Sequence, residues 1–328
     1  MQVKRVSISF RQIESLELDI SYTQNMRLTF LFLICGLLAL PAPAHSWYPR
    51  TQTESLLPDG WAGTLVGTNK IFVVGSGDTL IEIARRGRLS YQGLIAANPG
   101  VNPWQPEIGQ DLVLPFATIL PLDLQQGITI NLAEFRLYLV WEDAGRIRVR
   151  IYPIGLGREG WATPEGDYRV TTIIERPVWT IPAALREENP ERSPLMAPGP
   201  DNPLGSHWIG LSVDGYGIHG TNRPYGIGRQ VSHGCIRLYP RGIIDLVDKI
   251  AKGTPVKIIY RPIKVGRQAD ILYLEAHADY LGRVDDPIKE IESQGAALGW
   301  LFSLPDKEKA SRVLQEARGV PSRISMIE

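Results

Sequence analysis

Cysteine is nearly absent from this chain: its 328 residues include two, Cys35 and Cys235. A disulfide framework needs several paired thiols, so the fold must rest on a hydrophobic core, and with 44% apolar residues the chain can build one. An excess of one charge is missing too. Thirty-five basic residues face thirty-five acidic ones, which argues against a partner such as nucleic acid that demands a cationic surplus. Nor is there an apolar run long enough to cross a bilayer, which takes about 20 residues. The run Leu28 to Leu40 has thirteen, with Arg27 before it and Ala42-Pro43-Ala44 after it. That is the pattern of a secretory signal with a small-x-small cleavage site, so residues 1–44 are expected to be removed, leaving a chain that begins near His45. Ahead of Met26, Lys4, Arg5 and Arg11 mix with Glu14, Glu17 and Asp19, unlike the basic start of a signal, so Met26 is the expected initiator. Export leaves Cys235 alone in an oxidising compartment where cysteines normally pair. A lone thiol kept there is a candidate for chemistry.

Residues 71–116 read as a compact unit. An extended Ile71-Phe72-Val73-Val74 enters the turn Gly75-Ser76-Gly77-Asp78, and a helix follows through Leu80, Ile83 and Ala84. Thr79 with Glu82 has capping-box spacing, and Asp78 is a rival N-cap. Ser90 opens a second short helix, Asn98-Pro99-Gly100 stops it, and Asp111 to Pro115 is a second strand. After a linker, Pro115 to Asp123, the text changes to strands. Arg146, Arg148 and Arg150 alternate with Ile147, Val149 and Ile151, and Gly127 to Trp141 and Gly166 to Ile174 share the period of two. A half-buried antiparallel sheet is the expectation. Between Arg176 and Gly205 seven prolines interrupt any regular element, and a loop of this length in a compact domain is expected to be a lid or binding loop, or else disordered. Extended structure resumes at Trp208 to Leu211 and Tyr216 to His219. A helix is expected over 240–252 from Ile243, Ile244, Leu246, Val247 and Ile250, with Gly253 at its C′ position, and Pro255 to Tyr260 is a strand. Beyond Pro262, Ile271 to His277 is strand-like, and 289–327 reads as loosely amphipathic helix broken at Gly295, Gly299 and Pro305, without legible chemistry.

The chemistry is concentrated in Ser232-His233-Gly234-Cys235-Ile236-Arg237-Leu238, read with Ile218-His219-Gly220 upstream. A thiolate is a strong nucleophile, but it needs a base or a local positive charge to form near neutral pH. Gly234 lets the backbone turn sharply beside the thiol, which makes the amides of His233, Gly234 and Cys235 natural donors to an oxyanion. Arg237 is a permanent cation suited to a substrate carboxylate. His233 and His219 compete as the base. On an extended segment His233 would point with Cys235, whereas His219 would have to arrive from a neighbouring strand; spacing does not choose between them.

The segments Ile218-His219-Gly220-Thr221-Asn222 and Ser232 to Leu238, with Thr163-Pro164 and Gly166 ahead of them, resemble the signature of L,D-transpeptidase catalytic domains of the YkuD type, over residues 122–260. Val74, Gly77-Asp78-Thr79-Leu80, Asn98-Pro99 and Gly109-Gln110 with Leu112 and Pro115 resemble a LysM module, over 71–116. The two resemblances imply a small βααβ glycan-binding module followed by a β-rich, sandwich-like catalytic domain of antiparallel sheet, with residues 263–328 left as a short α/β extension. They further imply Cys235 as nucleophile and His219 as base, oriented by the carbonyl of Gly220. His233 and Gly234 would shape the oxyanion site after Ser232, with Arg237 beside it. The implied reaction takes diaminopimelate of a peptidoglycan tetrapeptide, releases D-alanine, forms a thioester and passes the acyl group to an amine, without cofactor or metal. The amine is expected on an outer-membrane lipoprotein or a second stem, and the location is the periplasm. A hydrolase that resolves the same thioester with water, and a wall-binding protein without catalysis, are the alternatives.

Overall fold

A computed structural model describes residues 54–57, 60–182, 186, 193–300 and 303–326. The expected signal and the expected start at Met26 lie outside them. In the first unit, β1 (Lys70–Val73) pairs antiparallel with β2 (Asp111–Leu114), and α1 (Leu80–Gly87) and α2 (Tyr91–Ala97) pack on them. Leu80, Ile83, Leu94 and Leu112 are fully buried between the layers. Thr79 takes the N-cap, accepting from the Glu82 amide at 3.3 Å, while Asp78 accepts from Gly75 and holds the preceding turn. The buried Asn98 ties the end of α2 to β2, donating to the carbonyls of Leu94 and Val113 and accepting from the Val113 amide.

The middle of the chain supplies β3 (Gly127–Asn131), β4 (Arg136–Asp143), β5 (Arg146–Gly157), β6 (Gly166–Glu175), β7 (His207–Leu211), β8 (Gly217–His219), β9 (Ile236–Leu238), α3 (Pro240–Val247) and β10 (Pro255–Ile259). Hydrogen bonding runs β5-β9-β8-β7-β6-β10-β3-β4 and returns from β4 to β5. The sheet therefore closes on itself as a barrel, which corrects the sandwich-like expectation. Closure depends on β5: its first part pairs with β4 through Pro153, and its last residues pair with β9 at Ile154 and Gly155. The pairing is also not uniformly antiparallel, since β8 with β9 and β10 with β3 run parallel. Ile128, Ile154, Ile209, Ile218 and Leu238 fill the interior, and Ile243 and Leu246 of α3 are buried against it. That helix ends at Val247, short of the expected 252. Gly253 (φ 91) instead sits in the turn before β10, which Thr254 stabilises by accepting from the Ala251 amide.

After the barrel, β11 (Ile263–Gln268), β12 (Ile271–Ala276) and β13 (Ser322–Met326) form an antiparallel sheet with α4 (Pro287–Ala297) and α5 (Leu304–Glu316). The break expected at Gly295 is absent, since that residue lies buried within α4, and two further expectations fail for identifiable reasons. Pro305 does not break a helix but lies in the first turn of α5, behind the N-cap Ser303 and its capping-box partner Asp306, where a missing N–H costs nothing. Residues 322–326 are strand because pairing with β12 outweighs weak local helical periodicity.

Three parts of the chain meet on a buried cluster of charge. Glu134 and Arg136 come from the barrel, Thr118 and Ile119 from the linker, and Lys264, Glu275 and His277 from the extension. Arg136 reaches Glu275 at 2.6 Å and Glu134 at 2.9 Å, and Lys264 reaches them at 3.1 and 2.6 Å. Burial pushes both carboxyls up, but Lys264 and Arg136 outweigh it, holding Glu134 below and Glu275 well below the usual carboxylate range. Glu134, Glu275 and His277 lie close enough together to hold a cation, yet two positive side chains already balance the two carboxylates. Replacing Glu275 with glutamine strands a buried cation and is expected to cost about 3–5 kcal/mol in urea unfolding. A loss below about 1 kcal/mol would put the cluster on a level with surface pairs.

Candidate active site

The barrel register explains how a distant histidine meets the thiol. β8 and β9 are parallel neighbours with Ile218 opposite Ile236 and His219 opposite Arg237. Side chains at matched positions of paired strands share a face, and so do residues two apart on one strand. His219, Arg237 and Cys235 are thus delivered to one side of the sheet, where all three line a cleft of about 690 Å³. Trp208, from β7, stacks on the His219 ring at 5.9 Å between centroids. Within the proline-rich segment, the short strands Trp179–Thr180 and Leu195–Met196 pair antiparallel, and the first of them lines the cleft. Asn202, fully buried, ties this segment together: its amide donates to the carbonyl of Pro177 and its oxygen accepts from the Leu204 amide.

His219 Nδ1 lies 2.6 Å from the carbonyl oxygen of Gly220. A carbonyl only accepts, so Nδ1 carries the hydrogen and Nε2 keeps the lone pair. Burial and the charge of Arg237 lower the pKa of His219 to about 4, against the pull of backbone hydrogen bonds at Gly220 and Leu204. Burial pushes the Cys235 thiol up, with a backbone hydrogen bond at Gly217 and the Arg237 charge pulling the other way. The resting pair is neutral thiol and neutral imidazole. Its imidazole has a consequence for stability. Above pH 6.5 the ring is neutral in both folded and unfolded chain, and below about 4 it is charged in both. Between these values the unfolded chain alone binds the proton, so stability falls with pH across that window, by about 3 kcal/mol from this ring. Urea unfolding at pH 7 and pH 4 should show that difference as the excess pH sensitivity of the parent over a His219→Asn variant; equal sensitivity would contradict a buried neutral ring.

Ser232 and His233 line the same cleft, but the His233 ring is engaged by other partners. Gly234 adopts φ 97, which breaks the alternation expected of an extended segment. Arg158 Nη2 then lies 3.0 Å from His233 Nε2, and because a guanidinium only donates, that nitrogen accepts; Trp161 packs edge-on against the ring at 5.2 Å. Ser232 is buried and donates to the Cys235 carbonyl at 2.5 Å, which closes the turn. Thr163 donates to the Gly234 carbonyl at 2.8 Å from the opposite side. Gly157 is needed for this approach: a Cβ there would fall 1.9 Å from the Trp161 carbonyl oxygen and 2.9 Å from Gly234 Cα. Among the described residues, Arg237 has its Nε buried without a hydrogen-bond partner. Arg158, Trp161, Gly157 and Trp208 were not singled out by the sequence. Trp161 lies two residues before Thr163 and Trp208 opens the extended stretch ahead of His219, while the neighbouring His207 bonds Ser206.

The barrel with this cleft is a YkuD-type catalytic domain carried behind a LysM domain: residues 125–258 match the L,D-transpeptidase catalytic domain family and residues 72–115 the LysM family. The chain is 39% identical to the probable L,D-transpeptidase YcfS of Escherichia coli over 268 residues, 78% of this chain and 80% of that protein. It is 40% identical to the probable L,D-transpeptidase ErfK/SrfK of Salmonella typhimurium over 233 residues, 68% and 73% of the two chains, and 36% identical to the probable L,D-transpeptidase YbiS of Escherichia coli over 297 residues, 83% and 92%. The chain belongs to the L,D-transpeptidase family. An NMR structure of the catalytic domain from the Enterococcus faecium L,D-transpeptidase overlaps 41% of this chain and 97% of its own at 23% identity, with a TM-score of 0.31, too loose a superposition to add to the assignment.

Proposed function

We propose that the chain forms a thioester between Cys235 and the diaminopimelate of a peptidoglycan tetrapeptide stem, then transfers that acyl group to an amine in the periplasm. The observation that carries this reading is the parallel register of β8 and β9, which brings His219 and Cys235 into one cleft with Arg237. In the first half, Sγ attacks the carbonyl carbon at the L-centre of diaminopimelate and its proton passes to His219 Nε2. The tetrahedral oxyanion is held by backbone amides of the His233-Gly234-Cys235 turn. Collapse expels D-alanine, whose amine takes the proton from His219. In the second half, an acceptor amine attacks the thioester, His219 removes its proton, and the sulfur leaves. Arg237, with Nε unpartnered, is suited to the terminal carboxylate of the donor, and the LysM domain to holding the glycan strand.

The favoured acceptor is the C-terminal lysine of an outer-membrane lipoprotein, ahead of a second stem. Incubating the enzyme with a disaccharide-tetrapeptide and a lysine-terminated peptide should yield free D-alanine and a new amide, both read by mass spectrometry. Free tripeptide in place of the amide would make the enzyme a hydrolase, and failure to release D-alanine would sink both enzymatic readings.

A further inference from the structure

The segment from Gly220 to Gln230 joins the base to the nucleophile, and the LysM domain is built against it. Tyr225, in the short 3-10 turn Pro224–Gly226, donates its hydroxyl to Glu82 of α1 at 2.5 Å, and the guanidinium of Arg85 lies over its ring. Two residues on, Gly228 (φ 76) accepts at its carbonyl from the Gln92 amide of α2 at 3.2 Å and donates to Ile154 of β5 at 2.9 Å. The fit there admits no side chain: a Cβ on Gly228 would lie 2.1 Å from the Tyr91 nitrogen. Tyr239, just after β9, donates to the Leu89 carbonyl between α1 and α2. On its other side the same segment reaches the site. A Cβ on Gly155 would fall 2.6 Å from the Gly226 carbonyl oxygen, and one on Gly226 would sit 3.6 Å from Arg237 Nη1. Arg237 is the cation that faces both His219 and Cys235.

We propose that the LysM domain is a positioning element of the acylation site, with Glu82, Tyr225 and Gly228 fixing the 220–230 segment against which Arg237 is set. Catalysis then depends on the LysM domain, which holds the segment lying behind the cleft cation Arg237. Glu82, Tyr225 and Gly228 are positioning residues and touch no substrate. The inference rests on the Cys235 reading above, and its test uses a donor without glycan so that retention on the wall plays no part.

Acylation of the full chain by a carbapenem is followed by intact mass over a range of concentrations, separating the maximal rate from the half-saturating concentration. Gly228→Ala, which forces a shift of about 1 Å, should lower the maximal rate about 10²-fold, and Glu82→Ala about tenfold, with half-saturation little changed. Glu82→Gln keeps an oxygen that accepts from Tyr225 and should restore the rate, a rescue that a general loss of stability would not show. Parental rates in both Gly228→Ala and Glu82→Ala, or no rescue by glutamine, would overturn the proposal and leave the LysM domain a tether. Absence of an adduct on the parent enzyme would instead overturn the Cys235 reading and this inference with it.

Discussion

Cys235→Ala is expected to abolish acylation, with loss of rate beyond about 10⁴-fold, because the groups of such a site act as a unit and the amide donors alone have no bond to make. The fold should be indifferent to the change. The turn that presents the thiol is held by backbone groups: Ser232 on the Cys235 carbonyl, Thr163 on the Gly234 carbonyl, and Gly157 packed beneath. None of these contacts involves the sulfur, which makes a long 3.5 Å donation to the Gly215 carbonyl and a backbone hydrogen bond at Gly217. The melting temperature of the variant should therefore match the parent, and so should its sedimentation with sacculi, since the core of Leu80, Ile83 and Leu94 is untouched. Intact mass after exposure to a carbapenem reads the first point directly. An adduct persisting on the alanine variant would place the nucleophile elsewhere, and lost sedimentation would mean that the thiol turn supports the LysM domain.

Local signals in the sequence carried much of this architecture. Thr79, Ser90 and the Asn98-Pro99 stop mark α1 and α2 because capping and turn formation are decided within a few residues. The alternating arginines of Arg146 to Arg150 mark β5 for the same reason. What was not legible is set by partners far away in sequence. Barrel closure depends on β5 pairing with β4 on one stretch and β9 on the next, and no local pattern states that. The buried charges at Glu134, Lys264 and Glu275 carry no signal of their own in the sequence, since the cluster depends on pairs such as Glu134 with Lys264 and Arg136 with Glu275, more than a hundred positions apart. Pro305 misled because one residue type both stops a helix and starts one, and only the Ser303 cap distinguishes the cases.

The same contrast between local and distant partners underlies the proposed choice of His219 as base, and a pair of single substitutions tests it. His219→Ala should slow acylation by about 10²- to 10⁴-fold, the range expected when a positioned general base is removed. His233→Ala should cost far less. Proximity in sequence favours His233, but the turn at Gly234 sends its ring toward Arg158 and Trp161, and the Nε2 lone pair is already accepting from the guanidinium. A nitrogen so engaged cannot take a proton from the thiol without giving up that bond and placing a second positive charge beside Arg158. His219 has backbone partners at Gly220 and Leu204 instead of a guanidinium: Gly220 fixes its hydrogen on Nδ1, Trp208 stacks on its face, and a pKa near 4 keeps the ring neutral and able to accept near neutral pH. That low basicity also bears on mechanism. A base this weak is not suited to a standing ion pair with a thiol that burial has pushed up, so in the proposed reaction proton transfer accompanies attack on the carbonyl. Single-turnover acylation should then show an acid limb near pH 4 in the parent, lost in His219→Ala and retained in His233→Ala; the opposite pattern would transfer the role of base to His233.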